Sequence, residues 1–368
     1  MITIYDVAKY AGVSKSTVSL VINQSPLVSE TTRKKVQQAI SDMNYIPNAN
    51  ARGLSANATN CIGVVVMTEE TPVISYDFDQ HVGLCSYNIT SGIFPSLIHS
   101  KYGVLMEHFC SVNNPGELPN LVRNRRVDGV IIVGSPFDRK MIEKLREMHF
   151  PFVMAGVDSF QEGLDCSYAD PGDGVRIGME YLSEQGYHEV FFLNCPKAIH
   201  SSFTRLDAFI SSAAEHGFTV RPEWIVNCEK NNGQSAYNQM KTCWESGIRP
   251  RAIIAANGHL ALGAMRYLNE QHIRVPDQIS VIGYEDSSLS GYAIPALTSV
   301  NIHKELIGQK AAEFLLRRLN QRDAEPAYYT APAELVLRDS VIPANQQTPF
   351  SETKITRRQV YGQHSVYP

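Results

Sequence analysis

Long apolar runs are absent from this sequence of 368 residues. No stretch approaches the roughly 18 apolar residues that a helix needs to cross a bilayer. No apolar h-region of a signal peptide follows Met1. We therefore expect a cytoplasmic protein that does not associate with membranes.

Cysteine pairs, metal-ligand spacings and catalytic motifs are also missing. The seven cysteines lie scattered without a C-x-x-C pair, and the eleven histidines show no ligand spacing. This pattern predicts reduced, mostly buried thiols and neither a disulfide framework nor a zinc site. The sequence has no G-x-S-x-G nucleophile elbow and no P-loop. We expect no metal, no cofactor and no enzymatic activity.

Net charge is small and unevenly distributed. The chain as a whole carries −4, but residues 1–60 carry +3 and the remainder carries −7. A small basic head on a larger acidic body suits binding of a polyanion, although many solvated surfaces have a similar charge.

The first 23 residues contain two short helical patterns separated by Gly12. Thr3 is a suitable N-cap for the first helix, with Asp6 in a capping-box position, and Ser14 can cap the second. The apolar residues that recur at helical spacing are Ile4, Val7, Ala8, Ala11, Val18, Val21 and Ile22. A glycine-containing turn and a polar outer face on the second helix are typical of a helix-turn-helix that enters the DNA major groove. A plain helical hairpin is the alternative.

A third helix and an alanine-rich segment follow. Ser29 is a good N-cap, and Val36, Ala39, Ile40 and Met43 form an apolar stripe that can close a three-helix core. Beyond Pro47, the residues 48–56 include a single large apolar group, Leu54. Isolated segments shorter than about 12 residues are marginal helices in water, so this one is either a linker or a helix that orders against a partner.

Residues 3–54 resemble the DNA-binding head of the lactose-repressor (LacI/GalR) family of bacterial transcription regulators, and the resemblance continues to about Ser340. The shared motifs are D-V-A-x-x-A-G-V-S at 6–14, T-V-S at 17–19, V-S-x-x-T at 28–32 and Y-I-P-N at 45–48. The resemblance implies a repressor that binds a pseudo-palindromic operator in double-stranded DNA as a homodimer. Its second helix would read the major groove, and a hinge helix would insert a leucine into the minor groove. The DNA-binding residues implied in this way are Thr3, Tyr5, Ser14, Lys15, Ser16, Thr17, Ser19, Leu20, Asn23, Asn48, Arg52 and Leu54.

Two positions depart from the family pattern. Leu20 stands where many relatives carry arginine, and leucine offers base edges only apolar contact, for instance to a thymine methyl. Gly53 lies beside Leu54, where glycine costs about 1 kcal/mol of helix propensity relative to alanine. The operator sequence therefore does not transfer from relatives, and we expect a looser hinge.

From Cys61 onward, short β-branched apolar runs alternate with segments of helical length. The predicted strands are 62–66, 103–106, 129–133 and 152–154 in one set, and 190–193, 225–226, 252–255 and 279–283 in another. Such alternation predicts doubly wound parallel sheets with ligands at the carboxyl ends of the strands. We predict an α/β protein in which a small all-α helix-turn-helix head precedes a two-lobed, doubly wound, periplasmic-binding-protein-like effector domain.

The expected boundaries follow from these patterns. They are 1–46 for the helix-turn-helix head, 47–60 for the hinge helix and linker, 61–340 for the effector-binding and dimerisation domain, and 341–368 for a polar tail. The chain is expected to cross between lobes near residues 158–166, 285–292 and 320–328. The tail lacks leucine heptads, which disfavours a tetramer built on a C-terminal coiled coil.

Candidate effector-binding residues lie where strands of this fold end. They are Asp158, Ser201, Arg205, Asn257 and Glu285, which match ligand positions of the family. Carboxylates, an amide and an arginine can pair several hydroxyls at once, as sugar recognition requires, although each residue alone could be a solvated loop group. Lys304 is interpreted as a surface lysine at a helix start, the alternative being recognition of an anionic effector such as a sugar phosphate.

Three classes of function remain open at this point. A repressor whose operator affinity is changed by a small ligand, a sugar or sugar derivative, accounts for the head, hinge and body together. A periplasmic-type solute-binding protein would need an export signal, and an enzyme on a doubly wound fold would leave the head unexplained. The first class is therefore the prediction.

Overall fold

The structure is a computed structural model that describes residues 2–22, 24–45, 58–68, 84–112, 114–134, 138–159, 162–197 and 199–350. Its N-terminal head contains three helices: α1 (Ile4–Ala11), α2 (Lys15–Ile22) and α3 (Glu30–Asp42).

Local side-chain bonds fix the ends of these helices as the sequence predicts. The backbone N–H of Thr3 donates to the Asp6 carboxylate at 2.8 Å, and the Asp6 N–H donates to the Thr3 hydroxyl at 3.4 Å, which completes a capping box. Gly12 ends α1 with a φ of 61°, a conformation that glycine adopts without strain. Ser14 Oγ accepts the N–H of Thr17 at 3.1 Å and caps α2.

The head has one small core. Its buried members are Val7, Ala8, Ala11, Val18, Val21, Val36 and Ala39. They are the apolar faces that the helical spacing predicted, and they bring the three helices into mutual contact.

The first sheet, all parallel, has the strand order β11-β5-β4-β3-β1-β2. Its strands are β1 (Cys61–Met67), β2 (Gly103–Phe109), β3 (Gly129–Val133), β4 (Phe152–Ala155), β5 (Cys166–Ala169) and β11 (Tyr328–Ala331). The helices that pack on it are α4 (Leu84–Leu97), α5 (Asn120–Arg123), α6 (Arg139–Glu147) and α12 (Lys304–Asn320). We call this body lobe N, residues 58–169 and 304–331.

The second sheet has the order β12-β10-β9-β8-β6-β7, with only the β10–β12 pair antiparallel among its described pairs. Its strands are β6 (Phe191–Asn194), β7 (Ile225–Asn227), β8 (Ala252–Ala255), β9 (Ser280–Tyr284), β10 (Thr298–Asn301) and β12 (Glu334–Val336). Its helices are α7 (Pro171–Glu184), α8 (His200–Glu215), α9 (Gly233–Glu245), α10 (Gly258–Glu270) and α11 (Ser288–Tyr292). We call this body lobe C, residues 171–301 and 334–350.

Both faces of the lobe N sheet are buried, which explains its unbroken apolar strands. Val64 and Ile131 face the core beneath α4 and α12, whereas their neighbours Val65 and Ile132 face the core beneath α6. Alternate residues of one strand therefore enter different cores, as in other parallel sheets covered by helices.

The chain crosses between the lobes at residues 169–171, 301–304 and 331–334. The crossings predicted near 158–166, 285–292 and 320–328 are therefore wrong by several residues in each case. The cause is three strands that the sequence did not reveal: β5, β10 and β11 each extend a sheet before the chain leaves it. These three strands, at or next to a sheet edge, contain tyrosine, serine, threonine or asparagine, and they lack the unbroken apolar pattern of the central strands.

Residues 341–350 continue along lobe C beyond the last strand. The Gln347 side chain bonds Arg251, and the Phe350 ring meets Trp244 edge to face with centroids 5.6 Å apart. Within the described ranges, no helix is both long and apolar enough to span a membrane.

Candidate DNA-binding surface and effector site

The starts of α1 and α2 form one exposed polar surface on the head. Lys15 Nζ lies 4.9 Å from the centre of the Tyr5 ring and 3.4 Å from its hydroxyl. Ser16 and Leu20 lie exposed on the same helix, and Leu20 retains 36% of its accessible surface. Arg33, on α3, is held by the carbonyl of Ser25 at 2.7 Å.

Most of the predicted DNA-binding residues are in this part of the head. Thr3, Ser14 and Thr17 make the capping bonds that start the helices, so their side chains serve the fold as well as any contact with DNA. Ser19 is half-buried on α2. The remaining predicted residues, Asn23, Asn48, Arg52 and Leu54, lie outside the described residues.

Arg205 is the centre of a polar cluster at the carboxyl edge of the lobe C sheet. Its guanidinium donates to Glu285 Oε1 at 3.1 Å and to Ser201 Oγ at 3.1 Å. It also lies 4.7 Å from the centre of the Tyr284 ring. The residue is 6% exposed, and its Nε has no hydrogen-bond partner among the described atoms. An arginine held on three sides in this way presents a fixed donor to anything that occupies the site.

Asn257 extends the cluster through its amide. Its Nδ2 donates to Asn231 Oδ1 at 2.5 Å and lies 3.7 Å from Cys195 Sγ, while its Oδ1 accepts the N–H of Leu260 at 2.8 Å and caps α10. Burial raises the pKa of the Cys195 thiol to about 11. The thiol is therefore protonated at neutral pH and can donate to Asn231 Oδ1, 3.4 Å away. We call Cys195, Ser201, Arg205, Asn231, Asn257 and Glu285 the Arg205 cluster.

Tyr284 packs against the Arg205 cluster on the side that faces α7. Its ring lies between the Arg205 guanidinium and α7, where a Cβ on Gly174 would lie 2.1 Å from a ring carbon. Glycine at position 174 therefore makes room for the ring, and α7 packs directly against it. Burial raises the pKa of the Tyr284 phenol, which stays neutral and donates to the carbonyl of Asp170 at 3.3 Å.

Lys304 lies buried between the lobes, so its interpretation as a surface lysine is wrong. It is 1% exposed, and its Nζ donates to the backbone carbonyls of Glu285, at 2.8 Å, and of Asp286. Glu285 itself has a φ of 62°, the left-handed region that a residue with a side chain rarely adopts. The lysine, the first residue of α12, thus fixes the backbone that carries a cluster carboxylate.

Asp158 is the one predicted effector residue outside the Arg205 cluster. It lies exposed beyond the carboxyl end of β4, in lobe N. Lobe N instead meets the cluster region through Cys85 and Ala169, which pack against Tyr284, Val300 and Ile302 of lobe C. No cluster of three metal-ligating side chains occurs among the residues that the structure describes.

Comparisons with known proteins agree with both parts of this architecture. Residues 3–48 match the bacterial regulatory proteins of the lacI family, and residues 179–341 match the periplasmic binding protein-like domain. The chain is 30% identical over 348 residues to the HTH-type transcriptional repressor PurR of Histophilus somni strain 2336, covering 93% of this chain and 99% of that protein. The identity to PurR of Vibrio cholerae serotype O1 strain M66-2 is 32%, covering 93% and 98%.

The chain belongs to the lacI family.

A solved structure gives the same result. The lac repressor dimer bound to operator and the anti-inducer ONPF aligns with a TM-score of 0.77 at 27% identity, covering 93% of this chain and 99% of that one. The lacI-family fold, a helix-turn-helix head and a two-lobed α/β body, is therefore confirmed. The chain is a DNA-binding transcriptional repressor of this family and not an enzyme. Repressors of this family bind operator DNA and small-molecule effectors and act as dimers.

Two cluster members were not predicted from the sequence, Cys195 and Asn231. Cys195 directly follows β6, so the rule that selected Asp158 also applies to it, but its chemistry suggested only a buried thiol. Asn231 lies four residues beyond β7 and reaches Asn257 only through the fold. No local pattern marks such a contact.

Proposed function

We propose that this lacI-family repressor is a homodimer whose operator affinity is set by a neutral, hydroxyl-rich ligand, a sugar or sugar derivative, bound at the Arg205 cluster. The observation that carries this proposal is the buried Arg205, paired with Glu285 and keeping one unpartnered Nε. The cluster offers donors and acceptors within one hydrogen-bonded network, which suits a ligand with several hydroxyls.

The balance of charge favours a neutral ligand over a phosphate ester. Arg205 and Glu285 compensate each other, with side chains only 7% and 21% exposed. The Lys304 ammonium is directed at two backbone carbonyls. A phosphate would have to compete with both arrangements, because an unpaired buried charge is costly.

A thermal-shift screen of the full chain tests the ligand class with three sets: neutral sugars, their phosphate esters, and nucleobases. A ligand at a hundred times its Kd stabilises the native state by about 2.7 kcal/mol. For a body of this size that is a rise in Tm of about 5 °C. We expect a neutral sugar to give this rise and Arg205→Met to remove it, while operator binding without ligand is kept.

A matched control and two contrary outcomes make the screen decisive. Arg221→Ala removes an exposed arginine of lobe C that pairs with Glu189, and it should leave the response intact. Stabilisation by phosphate esters or nucleobases alone would refute the sugar assignment. A full response in Arg205→Met would place the effector elsewhere.

The hinge part of the proposal concerns residues 47–60, most of which lie outside the described residues. We propose that the paired hinges insert Leu54 into a central minor-groove step, where bending adds contacts that offset the cost of unstacking. Leu54→Ala should then weaken operator binding strongly and leave nonspecific, salt-dependent binding nearly unchanged. Wild-type operator affinity in gel-shift titrations of this variant would reduce the segment to a linker.

A further inference from the structure

Three exposed basic side chains flank the point at which the chain enters lobe N from the head. They are Lys101, Arg125 and Arg126. Arg125 and Arg126 occupy the loop between α5 and β3, and Lys101 precedes β2. These three residues belong neither to the Arg205 cluster nor to the head.

The order of strands brings these loops together. β1, whose first residue follows the segment from the head, lies between β3 and β2. The N–H of Gly103 donates to the carbonyl of Asn60 at 2.9 Å, and the N–H of Asp128 donates to the carbonyl of Cys61 at 2.8 Å. Lys101 therefore lies two residues from one side of the incoming chain, and Arg126 lies two residues from the other.

Two carboxylates that lie close in sequence to the arginines are engaged elsewhere. The Asp128 carboxylate accepts bonds from the backbone and hydroxyl of Thr59 and from the N–H of Asn60. Glu117 pairs with Arg123 at 2.8 Å. Within the described part of the chain, Arg125 and Arg126 form no ion pair, so both present an uncompensated charge to solvent.

We propose that Lys101, Arg125 and Arg126 contact DNA phosphates beside the segment that joins the head to lobe N. This inference rests on the proposed function, in which that segment lies against the minor groove. Residues 45 and 58 are 13 positions apart, which limits their separation to about 45 Å even in a fully extended chain. A duplex held by the head and hinge is therefore within reach of Lys101, Arg125 and Arg126, whose positive charge would complement its phosphate backbone.

The contact should be visible on an operator obtained by selection from random sequences, because hinge insertion belongs to operator binding. Fluorescence anisotropy of the full chain is measured on a labelled duplex of about three helical turns that carries the selected site, over a range of KCl concentrations. Each phosphate contact contributes about 0.9 to the slope of log K against log salt. For a dimer, the R125A/R126A double variant should lose up to about four contacts, which lowers the slope by about 2 to 4. Affinity at low salt should fall by about tenfold or more.

Two further variants distinguish a direct phosphate contact from a general effect of the protein's net charge. Lys230→Ala with Lys241→Ala removes the same charge from exposed positions of lobe C, and it should leave the slope near the wild-type value. R125K/R126K keeps the charge and should retain most of the slope.

The possible results distinguish failure of the proposed phosphate contact from failure of the proposed function. An unchanged slope in R125A/R126A, or an equal loss in the lobe C control, would overturn the proposed contact while leaving DNA binding by the head intact. A wild-type chain that fails to bind any duplex would instead overturn the proposed function and this inference together.

Discussion

Lys304 brings a positive charge into the interior at the first turn of a helix, where the helix dipole also disfavours a cation. Two backbone carbonyls receive its ammonium, and one of them belongs to Glu285, whose backbone is left-handed. Such an arrangement costs desolvation and strain, and it persists because the surrounding contacts determine it. The residue links a helix of lobe N directly to the backbone of Glu285, a residue of the proposed effector site.

Lys304→Met should therefore weaken both stability and ligand binding. The methionine keeps the apolar stem but leaves two carbonyls without a donor, at a cost of about 1–3 kcal/mol in the free energy of unfolding. Urea denaturation measures this change. Lys310→Met, on an outer turn of the same helix, is the matched control and should have little effect. Equal stability of the two variants would show that the bonds to residues 285 and 286 contribute nothing.

Leu20 is the residue at which operator preference should change. Its side chain is exposed on α2, so an arginine there can reach a guanine with two parallel hydrogen bonds, a preference of about 1–3 kcal/mol per base pair. Leu20→Arg should move the selected operator toward guanine at one symmetric position, as measured by sequencing of selected sites. Leu20→Ala should lose affinity without gaining that preference. The same selected sequence for wild type and Leu20→Arg would mean that residue 20 does not read bases.

Among the elements, the start of β1 is the connection between head and body. One carboxylate, Asp128 at the start of β3, accepts three bonds from Thr59 and Asn60, so the incoming chain is fixed to lobe N at that point. We therefore expect Thr59 and Asn60 to move together with lobe N.

Asp128→Ala should loosen this attachment. Loss of bonds worth about 1–2 kcal/mol each should accelerate hydrogen exchange at the amides of Thr59 and Asn60 by about tenfold or more. Glu107→Ala is the control, because Glu107 binds the start of α5 in the same lobe in a similar way. Unchanged exchange at residues 59 and 60 would show that the β-sheet alone holds the chain.

Helices of the head and central strands were predictable because local pattern and burial agree there. Caps at Thr3, Ser14 and Ser29 are local signals, and the central strands are apolar on both faces. Strands β5, β10 and β11 and the burial of Lys304 depend on contacts between distant segments, which no local pattern records. Asn257 and Glu285 could be named because they follow predicted strands, and Arg205 because it matches a ligand position of the family, whereas Asn231 had neither signal.

At the scale of the whole molecule, an apolar surface on lobe N remains uncovered. One side of α4 packs against α12 so closely that a Cβ on Gly92 would lie 1.9 Å from the carbonyl of Glu305. Phe94 on α4 and Ile98, the residue after its last turn, remain exposed, and Ile98 retains 71% of its surface. Met106 is also exposed on the edge strand β2. Exposed apolar surfaces of this kind often form contacts between subunits, and repressors of this family act as dimers.

Negative charge introduced on this surface should dissociate the dimer. Phe94→Asp with Ile98→Asp should sediment as a monomer at micromolar concentration, and it should bind a palindromic operator far more weakly because one head covers a single half-site. Val220→Asp, at an exposed apolar position of lobe C, should remain a dimer. If the double variant sediments as the wild type does, the subunits associate through another surface.

The three crossings between lobes also set the order in which the chain can complete its parts during synthesis. The residues of the head leave the ribosome before those of either lobe, and among the described residues its core contains none beyond position 45. Lobe N, by contrast, begins at residue 58 but receives α12 and β11 from residues 304–331. Its core therefore stays open until nearly all of lobe C has been made, so a nascent chain carries a finished DNA-binding head long before it has a body that can respond to an effector.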